Sequence, residues 1–289
     1  MKAEFRPFVF VRLIGFLSAI LCLSFSAHAT LRIWGGGAIM NNSWTNSQNW
    51  VGSVAPLAGD DLQFPDGASK DNNNNNYTNG TTFNSISFFH GSSGSGAGYT
   101  LAGNSIALNA GVSTVNNSGT GWPNTVNNAL VLNSNQTFST GPFTSLAFAG
   151  AINLNGKDLT FDNAAGSPID VHAVINGTGG LIKTNGGTLT IRSNNTYTGS
   201  TTLIGGTLEI DGSQPASPVL LNFGTLTGKG TVGTITSIGN GGPGSIVLIP
   251  AGVDHYIEPL GEEAVKNIDV FAPCRDDLAH LLDWMGAAD

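Results

Sequence analysis

Apolar residues alternate with polar ones in short runs along most of the chain. Examples are Thr82-Phe83-Asn84-Ser85-Ile86-Ser87-Phe88, Asp158-Leu159-Thr160-Phe161, Gly187-Thr188-Leu189-Thr190-Ile191 and Gly206-Thr207-Leu208-Glu209-Ile210. A period of two puts the apolar side chains on one face of a strand and Thr, Asn and Ser on the other. Turn signals close the runs, at Asn155-Gly156, Asn176-Gly177, Asn185-Gly186 and Asp211-Gly212. These residues tolerate positive φ and permit tight corners. The pattern predicts many short strands at even spacing. That is either an antiparallel sandwich or barrel, or a β-solenoid whose coils stack.

Composition favours the solenoid. The 289 residues include 40 Gly, 30 Asn and 27 Thr, and only 10 % are charged, against roughly 25 % in an ordinary domain. Gly, Asn and Thr form helices poorly, which excludes a helical bundle. Thr and Asn do well where like positions stack in side-chain ladders. A net charge of −8 and a pI near 4.9 argue against nucleic acid as a partner. A 40 % hydrophobic content argues against charge-driven disorder.

The first segment, 1–29, reads as a signal peptide. Lys2, Arg6 and Arg12 precede an apolar stretch from Leu13 to Phe25, and Ala27-His28-Ala29 supplies the small residues of a cleavage site before Thr30. A membrane anchor needs about 20 apolar residues, and the stretch ending at Phe25 is shorter. No later stretch is that long, so the expectation is an exported chain with no transmembrane segment after cleavage. Only Cys274 then remains, and it has no partner for an internal disulfide.

Composition breaks near residue 244. Residues 30–249 hold 15 charges, whereas the much shorter 250–289 holds 11 and no Thr. The expected organisation is a β-solenoid over 30–243 and a separate tail over 244–289. In the tail, Leu278, Leu281, Leu282 and Met285 follow helical spacing behind Asp276 and Asp277. This predicts a short amphipathic helix, with acidic residues at its favourable N-terminal end.

The tract from Gly177 to Ile210 carries Gly179, Leu181, Lys183, Gly187, Leu189, Asn195, Tyr197, Gly199, Thr201 and Leu208 in a distinctive order. It resembles the autotransporter-associated β-strand repeat, also called the passenger-associated transport repeat. Asn185 departs from the pattern, standing where the repeat has Gly. The resemblance implies a right-handed parallel β-helix and a secreted or surface role, structural or adhesive. The repeat itself brings no catalytic residues. Partners would be surface carbohydrate or other cell-surface proteins. Autotransporters also carry a membrane barrel, for which this chain offers no room.

The tail has its own likeness. Gly244, Pro250, Gly252 and His255 keep the spacing of the second motif of small cupins, where the His would be a metal ligand. The first motif, with its His-x-His and Glu, is missing. His occurs only at 28, 90, 172, 255 and 280, so no metal and no cofactor is expected.

Candidate chemistry in the body is sparse. Asp60-Asp61 and Asp158 with Asp162 are close carboxylate pairs, and such pairs beside Gly are most simply turn formers. A polysaccharide-cleaving site would instead require Asp158, Asp162 and Asp170 to converge on one groove. Trp34, Trp44 and Trp50 read as a cap over the first open coil, with a sugar-stacking platform as the alternative. Asn72 to Asn76 reads as a polar loop, with an Asn ladder as the alternative. No catalytic, cofactor-binding or metal residues are assigned.

Overall fold

A computed structural model describes residues 29–91, 98–117 and 122–237. The expected signal peptide before Ala29, the expected cupin-like segment with His255 and the helix expected over 276–285 lie outside them. Among the described residues the chain is an all-β, parallel solenoid, with two single-turn 3-10 helices near its start. No helix there is long and apolar enough to cross a membrane.

Two parallel sheets run along the coil. In sheet 1, ten strands follow one another in chain order, from Leu31–Ile33 and Asp61–Pro65 through Leu159–Asn163 and Leu181–Thr184 to Ile235–Ser237. Sheet 2 has eight, from Asn72–Asn75 through Thr144–Phe148, Ile169–Val171, Thr188–Ile191 and Thr207–Ile210 to Thr225–Thr227. Parallel pairing places residues of successive coils directly over one another, so each inward position becomes a column. One column reads Leu62, Ile86, Val112, Phe138, Phe161, Lys183 and Leu203. Facing it, Leu101, Val126, Phe148, Val171, Ile191 and Ile210 form another. Phe138 and Phe148 meet across the interior as stacked rings, with centroids 4.8 Å apart. The period-two pattern thus resolves into two apolar faces pressed together, each fully buried Leu, Ile or Phe worth about 1.5–3 kcal/mol.

The coils shorten along the chain. One full turn carries Arg32 to Leu62 at the start, Val112 to Phe138 in the middle and Leu221 only as far as Ser237 at the end. The inward side chains shrink in step. Trp34, Trp44, Phe64, Phe83, Phe88, Phe138 and Phe148 fill the wide coils, whereas Leu203, Leu208, Ile210, Val219 and Leu226 fill the narrow ones.

The Asn run departs from the loop expected of it. Asn72–Asn75 is the first strand of sheet 2, in register with Thr100–Gly103. Asn73 and Asn75 point inward and are buried. Each has at least one hydrogen-bond partner, although Asn73 Nδ2 has none. Asn73 Oδ1 accepts from Trp44 Nε1 at 2.7 Å, and Asn75 Nδ2 donates to the Asn104 carbonyl at 2.9 Å.

Candidate functional site

The repeat signature comes first, because it is the most specific motif in the sequence. Its residues hold corners. At Gly179 an added Cβ would lie 1.8 Å from the Lys157 carbonyl oxygen, and at Gly199 it would lie 2.4 Å from the Gly179 carbonyl carbon. Successive coils touch backbone to backbone there, so no side chain fits. Asn195 accepts from the Ile175 N–H at 2.8 Å and donates to the Ser193 carbonyl at 2.7 Å, tying one coil to the previous one. Tyr197 is buried, its hydroxyl 2.6 Å from Thr201 Oγ1 and 2.8 Å from Gln214 Oε1. Burial pushes its pKa up to about 12. Lys183 is also buried, and its Nζ donates to the carbonyls of Thr184, Asn185 at 2.9 Å and Gly205 at 3.2 Å. Desolvation pulls its pKa down to about 8, partly opposed by Asp162.

The Trp residues are packing groups. Trp34 and Trp44 are fully buried and Trp50 nearly so. Trp50 stands edge-on to both of the others, at 5.2 Å and 6.3 Å between centroids. Its Nε1 donates to the Trp44 carbonyl, and the Trp34 indole donates to the Lys70 carbonyl, each at 2.8 Å. None offers a face to a sugar, so the alternative of a stacking platform falls away and the burial fits the cap read from the sequence.

The carboxylates singled out from sequence do not converge. Asp60 is buried and pairs with Arg32 Nε at 2.7 Å. Asp61 accepts from Asn84 at 2.7 Å and from Ser85. Asp158 accepts from the Gly180 N–H at 2.9 Å. Asp162 accepts from Thr184 at 3.0 Å and Asn185 at 2.9 Å on the outside of sheet 1. Asp170 lies on the other sheet. All five bind neighbouring coils together, Asp170 through Arg192, and only Asp170 belongs to a denser group of charges. His90 is buried beside Asn124, and burial holds its pKa below the usual imidazole range, against the opposing pull of Asp66 and Asn124. No group of three or more His, Cys, Asp or Glu among the described residues could hold a metal ion.

The denser group lies on the outer face of sheet 2. Arg192 grips Asp170 with two nitrogens, Nε to Oδ1 at 2.8 Å and NH2 to Oδ2 at 2.8 Å. Its NH1 reaches Asp211 at 3.3 Å. His172 Nε2 sits 3.3 Å from Asp170, and Thr190 donates to Glu209 at 2.9 Å. Register explains the meeting. Asp170, Thr190 and Glu209 are stacked in one outward row, and His172, Arg192 and Asp211 each follow the inward residue next along its strand. Beside them opens a shallow groove of about 380 Å³, floored in part by Pro123, Ser145 and Ala147. No local sequence motif marks this group, because its members come from three different coils.

The passenger-associated transport repeat matches residues 181–210, inside the 177–210 tract read from the sequence. The chain is 48 % identical over 67 residues to an extracellular serine protease of Serratia marcescens, covering 23 % of this chain and 6 % of that protein. It is 32 % identical over 120 residues to the adhesin BmaC autotransporter of Brucella suis biovar 1 (strain 1330), covering 39 % of this chain and 3 % of that one. The chain therefore spans only a small part of the curated relatives it matches. No solved structure matches it. The chain carries a passenger-associated transport repeat on a parallel β-solenoid, and its partial likenesses are to an extracellular protease and an autotransporter adhesin.

Proposed function

We propose that this protein is an exported, surface-presented solenoid with a structural and adhesive role and no catalysis of its own. The observation that carries the proposal is the use made of the repeat signature. Gly179, Lys183, Asn195, Tyr197 and Gly199 are all spent on closing corners and filling the interior. A motif so occupied builds a rod and leaves the outer faces to meet partners. The likeness to an adhesin supports the adhesive part, and the signal-peptide pattern at 1–29 supports export. The likeness to an extracellular serine protease covers 6 % of that enzyme and lends its activity no support here.

The test compares a strain making this protein with a deletion strain. Attachment to immobilised host or matrix material is scored, and tagged protein on intact cells is probed with external protease. The proposal expects reduced attachment on deletion and a tag that external protease removes. Unchanged attachment together with a protected tag would reject it.

A further inference from the structure

We infer that the groove on the outer face of sheet 2 binds a neutral or amino-substituted glycan through Asp170 and Arg192. This deepens the adhesive proposal and rests on it, since it names the chemistry of the partner.

Charge is scarce on this solenoid, and its placement carries information. The flagged carboxylates on sheet 1 and its approaches are committed to binding neighbouring coils. On sheet 2, three successive coils bring Asp170, Arg192, Glu209 and Asp211 together at the surface, where their coil-to-coil contacts stay partly exposed. Arg192 remains 43 % exposed and His172 50 % exposed. The guanidinium has five N–H donors, and its contacts with Asp170 and Asp211 fix its plane without using all of them. The Asp170 side chain is 27 % exposed, so its carboxylate still meets solvent. Fixed donors and acceptors side by side suit the vicinal hydroxyls of a sugar, which donate and accept together.

The floor supplies the other half of the match. Thr125, Ala147, Asp170 and Thr190 occupy one outward row, and Pro123 aligns with Ser145 in the next. Small residues stand beside long ones, so the surface steps down from the charged wall to a flat floor. Ala147 and the Pro123 ring give that floor an apolar character, which fits the C–H face of a pyranose. A volume of about 380 Å³ falls at the small end of ligand-site sizes, enough for a short stretch of glycan. Asp170 lines the groove, and Glu209 and Asp211 stand on the last of the three coils, three carboxylates to one guanidinium, so their field repels uronate or sulfated polymers and favours neutral or cationic sugars.

The test titrates the full mature chain with soluble gluco-, galacto- and chitosan-derived oligosaccharides, and with oligogalacturonate as the anionic control, by calorimetry. The inference expects saturable binding to a neutral or amino-substituted series. Arg192→Ala should weaken it roughly tenfold or more, as loss of a charged hydrogen-bonding group does. Ala147 points away from the core, so Ala147→Trp should abolish binding by filling the floor while the melting curve stays in place. Absence of saturable binding to every neutral and amino series overturns the inference. So does equal binding by Ala147→Trp and the unmodified protein, or binding of oligogalacturonate as strong as that of the neutral series. Cells whose attachment survives Ala147→Trp would refute the groove and leave adhesion standing. Protein that never reaches the surface would refute adhesion, and the titration decides the groove in either case.

Discussion

Lys183 stands in an interior column with Phe161 below it and Leu203 above. Three carbonyls at a corner compensate its ammonium, but burial still disfavours the charge and brings the pKa to about 8 from an ordinary 10.5. The sign follows from linkage. Below about pH 8 both folded and unfolded chains hold the proton, and folding bears the full cost of burying it. Between about 8 and 10.5 the unfolded chain holds more of it, so stability rises with pH. Urea melts of the unmodified protein and Lys183→Met should therefore diverge in favour of the former by on the order of 1–3 kcal/mol from about pH 7.5 to 10. A pH-independent difference would contradict this. The corner glycines give a second residue-scale prediction. Gly199→Ala forces a Cβ to 2.4 Å from the Gly179 carbonyl and should cost about 2 kcal/mol or more, read from the urea midpoint. The sequence showed that Gly179, Lys183 and Tyr197 belong to one motif. It could not show that each faces inward or into a corner, because that depends on where the neighbouring coils run.

At the scale of elements, alternation and turn signals marked the strands well. Thr82 to Phe88 falls within the strand Thr81–His90, and Thr188 to Ile191 is a strand as read. The Asn run was illegible for a physical reason. Consecutive Asn residues have no hydrophobic alternation, so periodicity registers a loop. The strand at Asn72–Asn75 is imposed by pairing to Thr100–Gly103 on one side and by the Ser43 bridge on the other. The Trp cap was legible in part. Three Trp near an exposed end signalled a seal, and the structure adds how they seal it: Trp50 folds back over Trp34 and Trp44. Trp50→Ala should cost about 3–5 kcal/mol, and amide exchange should speed up first in Leu31–Ile33 and Asp61–Pro65. Uniformly faster exchange along the whole coil would argue against a local cap. The charged group on sheet 2 was the element least visible from sequence. Asp170 and Glu209 lie on the separate strands Ile169–Val171 and Thr207–Ile210, and Arg192 directly follows a third, Thr188–Ile191. Only the coil length brings them together.

At the scale of the whole molecule, the solenoid tapers. The middle turn from Val112 to Phe138 gives way to the much shorter last described turn, Leu221 to Ser237, and the inward residues pass from aromatic to aliphatic. The narrow coils have little slack. The position for a Cβ on Gly224 already lies 3.2 Å from Leu203 Cγ. Leu203→Phe should therefore destabilise by about 1–3 kcal/mol through overpacking, read from thermal or urea melts. An unchanged or raised melting point would mean that the narrow coils can widen. Taper, sealed wide end and low charge fit the proposed surface-presented solenoid, and export is the claim on which that proposal depends. The measurement that tests it most directly is the intact mass of the native protein from extracellular, envelope and cytosolic fractions. The account predicts a mature chain beginning at Thr30 in the extracellular or envelope fraction. A chain still beginning at Met1 and confined to the cytosol would contradict it.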